Sequence, residues 1–145
     1  MMPESLPALA CACASVRRAA RAVTRLYDEA LRGAGLRITQ FTLLQALERT
    51  GTSPQGALGE LLALDPTTLS RTLRPLAAAG WIRAARGPDR REVCWTLTPA
   101  GRRRLARARP AWARAQARLR TELPPKHWAL LIEDLAAVAA AAGRA

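Results

Sequence analysis

The sequence is poor in the residue types on which most catalytic and metal sites depend. Its 145 residues include one histidine, one tyrosine, one phenylalanine and one lysine. No Ser–His–Asp arrangement, glycine-rich phosphate loop or pair of carboxylates at helical spacing facing a common site is present. The only histidine, His127, follows two prolines at a predicted helix start, a position more typical of a surface residue than of a metal ligand. We therefore expect no enzymatic activity and no cofactor.

Cysteines and long apolar runs are also scarce. Three cysteines are too few for the disulfide framework of a secreted domain. No run of about 20 uncharged apolar residues exists, so no membrane span is expected. Residues 1–13 have the cysteines of a lipoprotein signal, but they lack a basic start and are interrupted by Pro7. We expect a cytoplasmic protein that does not bind membranes.

Acidic residues are few, and the basic residues are concentrated. The chain has 11 acidic and 23 basic residues, which gives a net charge of +12. Residues 81–120 hold twelve of the basic residues and two of the acidic ones, which is a net +10. Codon bias in a GC-rich genome and a nucleic-acid-binding function explain the preference for arginine over lysine equally well. Codon bias does not explain why the basic residues are clustered in one segment. Attraction to a polyanion is the main sequence-independent term in DNA binding, so this segment predicts a nucleic-acid partner.

A helix-turn-helix pattern precedes the basic segment. Thr39 is predicted to cap a short helix whose apolar residues are Phe41, Leu44 and Leu47. Ser53–Pro54 and Asp65 followed by Pro66 each pair a capping residue with proline at the first helical position, so two further helices are predicted to start there. The first of these contains Leu58, Leu61 and Leu62. Only about three residues connect the two helices, as a helix-turn-helix requires.

The second helix of this pair has the residue distribution of a recognition helix. Its apolar stripe consists of Leu69, Leu73 and Leu76. The other face carries the predicted DNA-contacting residues, which are Thr67, Thr68, Ser70, Arg71 and Arg74. Serine and threonine bind phosphates or base edges and arginine binds guanine, although an ordinary solvated helix face has a similar composition. Pro75 is expected to bend the helix, which either aims its N-terminal half or is tolerated near the helix end.

The basic segment begins with a predicted β-hairpin. Residues 81–86 and 91–97 are predicted strands, and residues 87–90 form the turn between them. In the second strand we expect one face to point into the core, formed by Val93, Trp95 and Leu97, while Glu92, Cys94 and Thr96 face the other way. A helix-turn-helix followed by a basic hairpin is a winged helix.

Long amphipathic helices are predicted at both ends of the chain. The first has a stripe about seven turns long that ends near Gly33 and Gly35, formed by Leu9, Cys13, Val16, Ala20, Val23, Tyr27 and Ala30. Thr98 with Pro99 starts a helix, kinked at Pro110, with the stripe Leu105, Ala108, Trp112, Ala115 and Leu119. A last helix after Pro124 contains Trp128, Leu131, Ile132, Leu135 and Val138. These stripes exceed their intrachain partners, so we expect a homodimer, whose two-fold axis suits a palindromic operator.

These elements, in this order, resemble the MarR family of bacterial transcription regulators. The resemblance rests on the helix at residues 38–47, the helix-turn-helix at residues 58–80, and the Asp89-Arg90-Arg91 motif followed by Leu97, Thr98 and Gly101. It covers nearly the whole chain. Pro75 departs from the usual pattern of the recognition helix and bears on how that helix docks.

The resemblance implies a mainly α fold with a small β-hairpin wing, in one domain spanning residues 1–145. Residues 36–98 would form the winged helix-turn-helix lobe, and residues 1–35 and 99–145 the dimerisation helices. It also implies that Arg91 enters the minor groove, where arginine recognises groove shape, with Asp89 orienting the wing arginines Arg86, Arg90 and Arg91.

Two kinds of effector are compatible with the sequence. Many proteins of the family bind small aromatic acids or phenols, for which Tyr27, Phe41 and Trp112 are candidate lining residues that also suit a core. Cys11 and Cys13 are candidates for an oxidant or soft-metal sensor. If both lie in a helix they point about 200° apart and make a poor clamp, whereas a helix starting after Cys13 favours one. Cys13 as a small core residue, with Cys11 and Cys94 incidental, is the alternative.

The sequence therefore predicts a sequence-specific, double-stranded-DNA-binding regulator, in the form of a homodimeric repressor released by an effector. An architectural protein that coats DNA without sequence preference is the alternative, since the basic charge alone suits both. A formed recognition helix with base-reading side chains favours the regulator.

Overall fold

The computed structural model describes residues 6–143. Residues 1–5 and 144–145, the outer ends of the predicted dimerisation regions, lie outside the described part. Within it the chain forms six α-helices and three strands, in the order α1 Ala12–Leu31, α2 Ile38–Thr50, β1 Ser53–Pro54, α3 Gln55–Leu62, α4 Pro66–Ala78, β2 Ile82–Arg86, β3 Val93–Leu97, α5 Pro99–Glu122 and α6 Pro125–Ala142. A 3-10 turn, Arg32–Ala34, follows α1.

The helix-turn-helix and the wing share one apolar core. The predicted stripes of α2 and α4 are confirmed, because Phe41, Leu44, Leu47, Leu69, Leu73 and Leu76 are all buried. They pack with Leu58 of α3, Ile82 and Leu97 of the sheet, and Leu105 of α5. Full burial of one such side chain contributes about 1.5–3 kcal/mol, so this cluster is the main source of stability for the lobe that holds α4.

The sheet contains a strand that the sequence analysis missed. Its order is β1-β3-β2, all antiparallel, with Ser53 paired to Trp95 and Ile82 paired to Leu97. The prediction that Ser53 caps a helix with Pro54 at its first position is wrong, since both residues belong to β1 and α3 begins at Gln55. Ser53 is buried, and its hydroxyl lies 2.6 Å from that of Thr50. Pairing with a distant strand has overridden a local capping signal.

The second wing strand only partly follows the predicted alternation. Trp95 and Leu97 face the core as expected. Val93 is 52% exposed, because it lies at the strand end beyond the core, and Cys94 is 1% exposed on the opposite face. The backbone at Gly87 covers Cys94 so closely that a Cβ at position 87 would overlap its sulfur. The connection between the strands spans residues 87–92 rather than the predicted 87–90.

Two of the predicted helix starts are confirmed, and the start of α2 is corrected. Asp65 Oδ1 accepts the Thr68 N–H at 3.0 Å, and Thr98 Oγ1 accepts the Gly101 N–H at 3.0 Å. Thr39 does not cap α2, which already begins at Ile38. The Ile38 N–H instead donates to Asp28 Oδ1 of α1 at 2.7 Å. A residue from a neighbouring helix therefore supplies this cap.

The terminal helices leave much of their apolar surface uncovered. Helix α1 is 20 residues long, shorter than predicted, so the stripe residue Leu9 lies before it. Leu9 is exposed, as is Val16 in the first half of the helix. Its second half packs against α5, where the Tyr27 hydroxyl donates to Gln116 Oε1. Helix α6 exposes Leu130, Ile132, Leu135 and Val138. No helix among residues 6–143 is long and apolar enough to cross a membrane.

The two internal prolines do not end their helices. Helix α4 continues past Pro75 to Ala78, and α5 continues past Pro110 to Glu122. Each proline removes one backbone N–H donor from its helix, a loss that burial of the apolar stripe on the opposite side offsets. The stripe of α5 is buried or half-buried as predicted, with Leu105, Ala108 and Ala115 buried and Trp112 and Leu119 partly so.

Candidate nucleic-acid interface

A short turn sets the position of α4 relative to α3. Residues 63–65 connect the two helices, and Ala63 adopts a left-handed conformation with φ 50°. Gly59 allows the helices to approach closely, since a Cβ there would lie 3.2 Å from the Leu64 carbonyl oxygen and 3.4 Å from Leu69 Cδ2. The turn thus buries the leucine stripe of α4 and leaves its other face outward.

The outward face of α4 carries most of the residues predicted to contact DNA. Thr67, Arg71 and Arg74 are exposed, and Ser70 is half-buried. Among residues 6–143 the only ion pair joins Arg109 to Glu48, so no carboxylate neutralises either arginine of this face. Unpaired guanidinium groups in a row are suited to anionic phosphates and to guanine edges.

Thr68 serves the helix cap. Its hydroxyl donates to Asp65 Oδ2 at 2.5 Å, while its backbone N–H donates to Oδ1. These hydrogen bonds, the one from the Thr68 side chain first, lower the pKa of the Asp65 carboxyl below its usual value. With its proton committed to Asp65, the Thr68 hydroxyl is not free to donate to DNA in this arrangement.

The wing presents its arginines on an exposed loop and strand end. Arg86, Arg90 and Arg91 are all exposed, as is Asp89. Asp89 Oδ1 accepts the backbone N–H of Arg91 at 2.9 Å. The carboxylate therefore shapes the loop through the main chain and leaves the guanidinium group of Arg91 free to reach outward.

Two residues that the sequence analysis missed connect the interface to its surroundings. Gln55 contacts both Ser70 of α4 and Trp95 of β3. The guanidinium group of Arg104 lies 4.5 Å from the centre of the Trp81 ring and donates to the Ala34 carbonyl oxygen at 2.7 Å. Arg104 thus ties the root of the wing to the end of α1. Neither contact has a local sequence signal, because each joins residues far apart in the chain.

The aromatic residues considered for an effector pocket fill the core. Phe41 is fully buried and stacks on Trp112, with ring centres 5.6 Å apart. Tyr27 is buried, and burial raises the pKa of its hydroxyl. A cavity of about 310 Å³ does lie between the end of α1 and α5, and its lining includes Arg104, Arg107 and Arg114.

The cysteines divide into an exposed pair and a buried single residue. Cys11 immediately precedes α1 in an extended conformation, and Cys13 lies in the first turn of the helix; both are exposed. The alternative that Cys13 is a core residue of its own chain is therefore wrong. His127 is exposed, and residues 6–143 contain no group of three or more side chains placed to hold a metal ion.

Comparison with known proteins agrees with this geometry. The MarR family model matches residues 36–93. A similar solved structure is the crystal structure of the Mycobacterium tuberculosis transcriptional regulator MosR in complex with DNA. The two sequences are 34% identical and the structures superpose with a TM-score of 0.82, over 92% of this chain and 97% of that one. The chain belongs to the MarR family. As a MarR-family protein it is a DNA-binding transcription regulator with a winged-helix fold, and its relatives are regulators rather than enzymes.

Two further relatives are also transcriptional regulators. A probable transcriptional regulator from Pseudomonas aeruginosa is 28% identical with a TM-score of 0.80, over 89% of this chain and 97% of that one. The HTH-type transcriptional regulator YwoH of Bacillus subtilis is 29% identical over 83 residues. That match spans 57% of this chain and 61% of the relative's length.

Proposed function

We propose that this protein is a homodimeric, sequence-specific repressor that binds a palindromic operator and is released by an effector. The observation that carries the proposal is the outward face of α4, where Thr67, Arg71 and Arg74 are exposed. The arginines of the wing are exposed as well, and none of these arginines has an acidic partner among the described residues. The relative MosR has been solved in complex with DNA, which supports the same partner for this chain.

The roles follow from the chemistry of each side chain. Arg71 and Arg74 lie on the helix that enters the major groove, where arginine forms paired hydrogen bonds with guanine. Thr67, in the first turn of α4, contacts a phosphate. Arg91 enters the adjacent minor groove and recognises its width, and Asp89 holds the backbone there. Arg86 and Arg90 add phosphate contacts that carry no sequence information.

Dimerisation is supported by the apolar surface that one chain leaves uncovered. Exposed side chains at both ends of the chain form this surface: Leu9, Val16, Leu130, Ile132, Leu135 and Val138. An obligate homodimer buries on the order of 2,000 Å² or more, and residues 1–35 and 99–145 are the segments that supply such an area. A two-fold dimer places two copies of α4 one helical turn of DNA apart.

Two sites are candidates for the effector. Cys11 and Cys13 are exposed thiols at the start of the dimerising helix, where oxidation or soft-metal binding alters the spacing of the two DNA-binding lobes. A small aromatic ligand is the second candidate, because a cavity lies where α1 meets α5. Either effector must favour the released arrangement by a few kcal/mol to shift the population. A regulator of this kind acts in the cytoplasm.

The alternative is an architectural protein that coats DNA without sequence preference, for which the charge of +12 is equally suitable. Competition separates the two. A labelled fragment from upstream of the protein's own gene is bound and then challenged with the same fragment unlabelled or with bulk DNA. We expect the specific fragment to displace the label at a concentration at least about 10³-fold lower than bulk DNA. Equal displacement by both would establish coating and overturn the proposal.

A further inference from the structure

We propose that Gln55 is a positioning residue that makes Ser70 a hydrogen-bond donor to the DNA and so sets the preferred base at one operator position. The inference rests on the function proposed above and deepens it. Its basis is a directional chain of two contacts, from Trp95 of the wing through Gln55 of α3 to Ser70 of α4.

The first contact fixes which way the Gln55 amide points. Trp95 Nε1 lies 2.9 Å from Gln55 Oε1. An indole N–H can only donate a hydrogen bond, so the atom it meets must be the amide oxygen and not the amide nitrogen. Gln55 and Trp95 are both half-buried, which keeps this arrangement from being lost to free rotation in water.

The second contact then fixes the role of the Ser70 hydroxyl. With its oxygen turned to Trp95, Gln55 presents its NH₂ group to Ser70, and Nε2 lies 3.4 Å from Oγ. The amide can only donate, so Ser70 Oγ accepts. At this length the contact is weak, but it favours one orientation of the hydroxyl, because it uses one lone pair of Oγ and the proton then points away from Gln55.

That proton is not used within the helix. The hydroxyls of Thr42, Thr50 and Thr72 each donate to the carbonyl oxygen four residues earlier. Ser70 makes no such bond in the described part of the chain, although it too lies inside a helix. Its donor therefore remains available on the polar face of α4 that also carries Arg71.

A hydroxyl whose proton is turned toward the DNA discriminates between bases. In the major groove that proton is satisfied by the acceptors of thymine O4, guanine O6 or a purine N7. The amino groups of cytosine N4 and adenine N6 are themselves donors, so they leave the proton without an acceptor and meet only the second lone pair of Oγ. A freely rotating serine turns its proton aside and accepts from those groups without this loss. Gln55 thus converts a tolerant side chain into one that prefers acceptors at the base edge it reaches.

The test measures operator preference rather than affinity alone. Wild type, Ser70→Ala, Gln55→Met and the double variant are each titrated against an operator and its single-base variants. Methionine keeps the length of Gln55 and removes both hydrogen bonds. We expect both single variants to lose roughly three- to tenfold discrimination at the same base pair, and the double variant to lose no more than either one. Discrimination at the positions bound by Arg71 is expected to remain.

A second substitution tests the direction of the chain. Gln55→Glu accepts from Trp95 and also from Ser70, so the serine proton turns inward and Oγ faces the DNA as an acceptor. We expect the preferred base at that position to change to one that presents an amino group. The added negative charge lowers affinity for every sequence equally. The Gln55→Glu/Ser70→Ala protein carries the charge without the serine, so it measures this loss of affinity alone.

Several outcomes would overturn the inference while leaving the proposed function intact. They are an unchanged preference in Gln55→Met, additive losses in the double variant, or a loss of affinity in Ser70→Ala that is the same for all bases and so marks a phosphate contact. Thermal melting and tryptophan fluorescence check that each variant is folded. A wild-type protein that prefers no operator over bulk DNA would instead contradict the proposed function, and the inference with it.

Discussion

Gly101, in the first turn of α5, lies directly against the carbonyl oxygen of Trp81, so that a Cβ at position 101 would overlap that oxygen. The same added Cβ would also overlap the side chain of Leu97. Thr98 reinforces the same junction, since its hydroxyl donates to the Gly80 carbonyl oxygen at 2.6 Å and accepts from the Gly101 N–H. The glycine therefore allows α5 to begin in direct contact with the backbone of Trp81, at the start of the wing.

Gly101→Ala is expected to destabilise the protein by about 1–3 kcal/mol, because a backbone carbonyl cannot rotate away from the added methyl group. Gly56→Ala is the matched control. Gly56 lies inside α3, and a Cβ added there would meet nothing within 4 Å, so alanine at this position is expected to stabilise by up to about 1 kcal/mol. Thermal or urea unfolding of the two variants measures the difference, and equal stabilities would contradict the packing at Gly101.

The arginines of α4 and of the wing are expected to differ in what they contribute. Arg71→Ala or Arg74→Ala should weaken operator binding by about 1–3 kcal/mol and change the preferred sequence, because a guanine contact is lost. Arg91→Ala should weaken binding to all sequences together. Arg120→Ala, an exposed arginine near the end of α5, removes the same charge away from the interface. If all four variants bound the operator alike at physiological salt, the docking model would be wrong.

A charge on the uncovered face of α6 is expected to separate the subunits. Leu135 is 46% exposed in the single chain, and Leu135→Glu would place a carboxylate in the proposed interface. Sedimentation should show wild type as a dimer at micromolar concentration and Leu135→Glu as a monomer. Leu61→Glu is the control, since Leu61 of α3 is 59% exposed outside the terminal helices. A folded wild-type monomer at that concentration would refute the dimer.

The cap of α4 is expected to make stability depend on acidic pH. The Thr68 hydrogen bonds lower the pKa of Asp65 in the folded state, so their contribution is fully present above the ordinary aspartate pKa of about 3.9. It is lost as the pH falls through the lower, folded-state pKa. Asp65→Asn retains a capping oxygen that does not titrate. Between about pH 5 and pH 2 the melting temperature of wild type should therefore fall more than that of the variant; parallel curves would exclude this role.

The exposed cysteine pair is expected to respond to an oxidant or a soft metal. Peroxide or arsenite should release wild-type protein from its operator and leave Cys11→Ser/Cys13→Ser bound. Cys94→Ala serves as the control, because Cys94 is buried beneath Gly87 and its removal should leave the response intact. Identical responses of wild type and the double variant would exclude the pair and direct the search to an aromatic ligand.

Local patterns were sufficient to predict the elements that are stabilised by neighbours in the chain. Asp65 followed by Pro66 starts α4, and Leu69, Leu73 and Leu76 recur at the helical period and are buried on one face. Once that stripe is buried, helical geometry leaves Arg71 and Arg74 on the outside. Helix α4, its polar face and the membership of the MarR family were for this reason accessible from the sequence alone.

The corrected features all depend on contacts between residues distant in the chain. Ser53 is a capping residue by local chemistry, but pairing with Trp95 makes it a strand. Asp28 rather than Thr39 caps α2 because α1 lies beside it. Cys94 is buried and Val93 exposed because the wing folds back at Gly87 and ends beyond the core.

At the candidate site, the role of Gln55 also depends on contacts between residues distant in the chain. A glutamine at a helix start has no distinguishing pattern, and only the packing of α3 between the wing and α4 brings it to both Trp95 and Ser70. Periodicity specifies which face of an element is apolar, because it is a property of that element alone. Which partner covers that face, and which hydrogen-bond donor meets which acceptor across it, is decided by tertiary packing, since the free energy that selects them arises between elements.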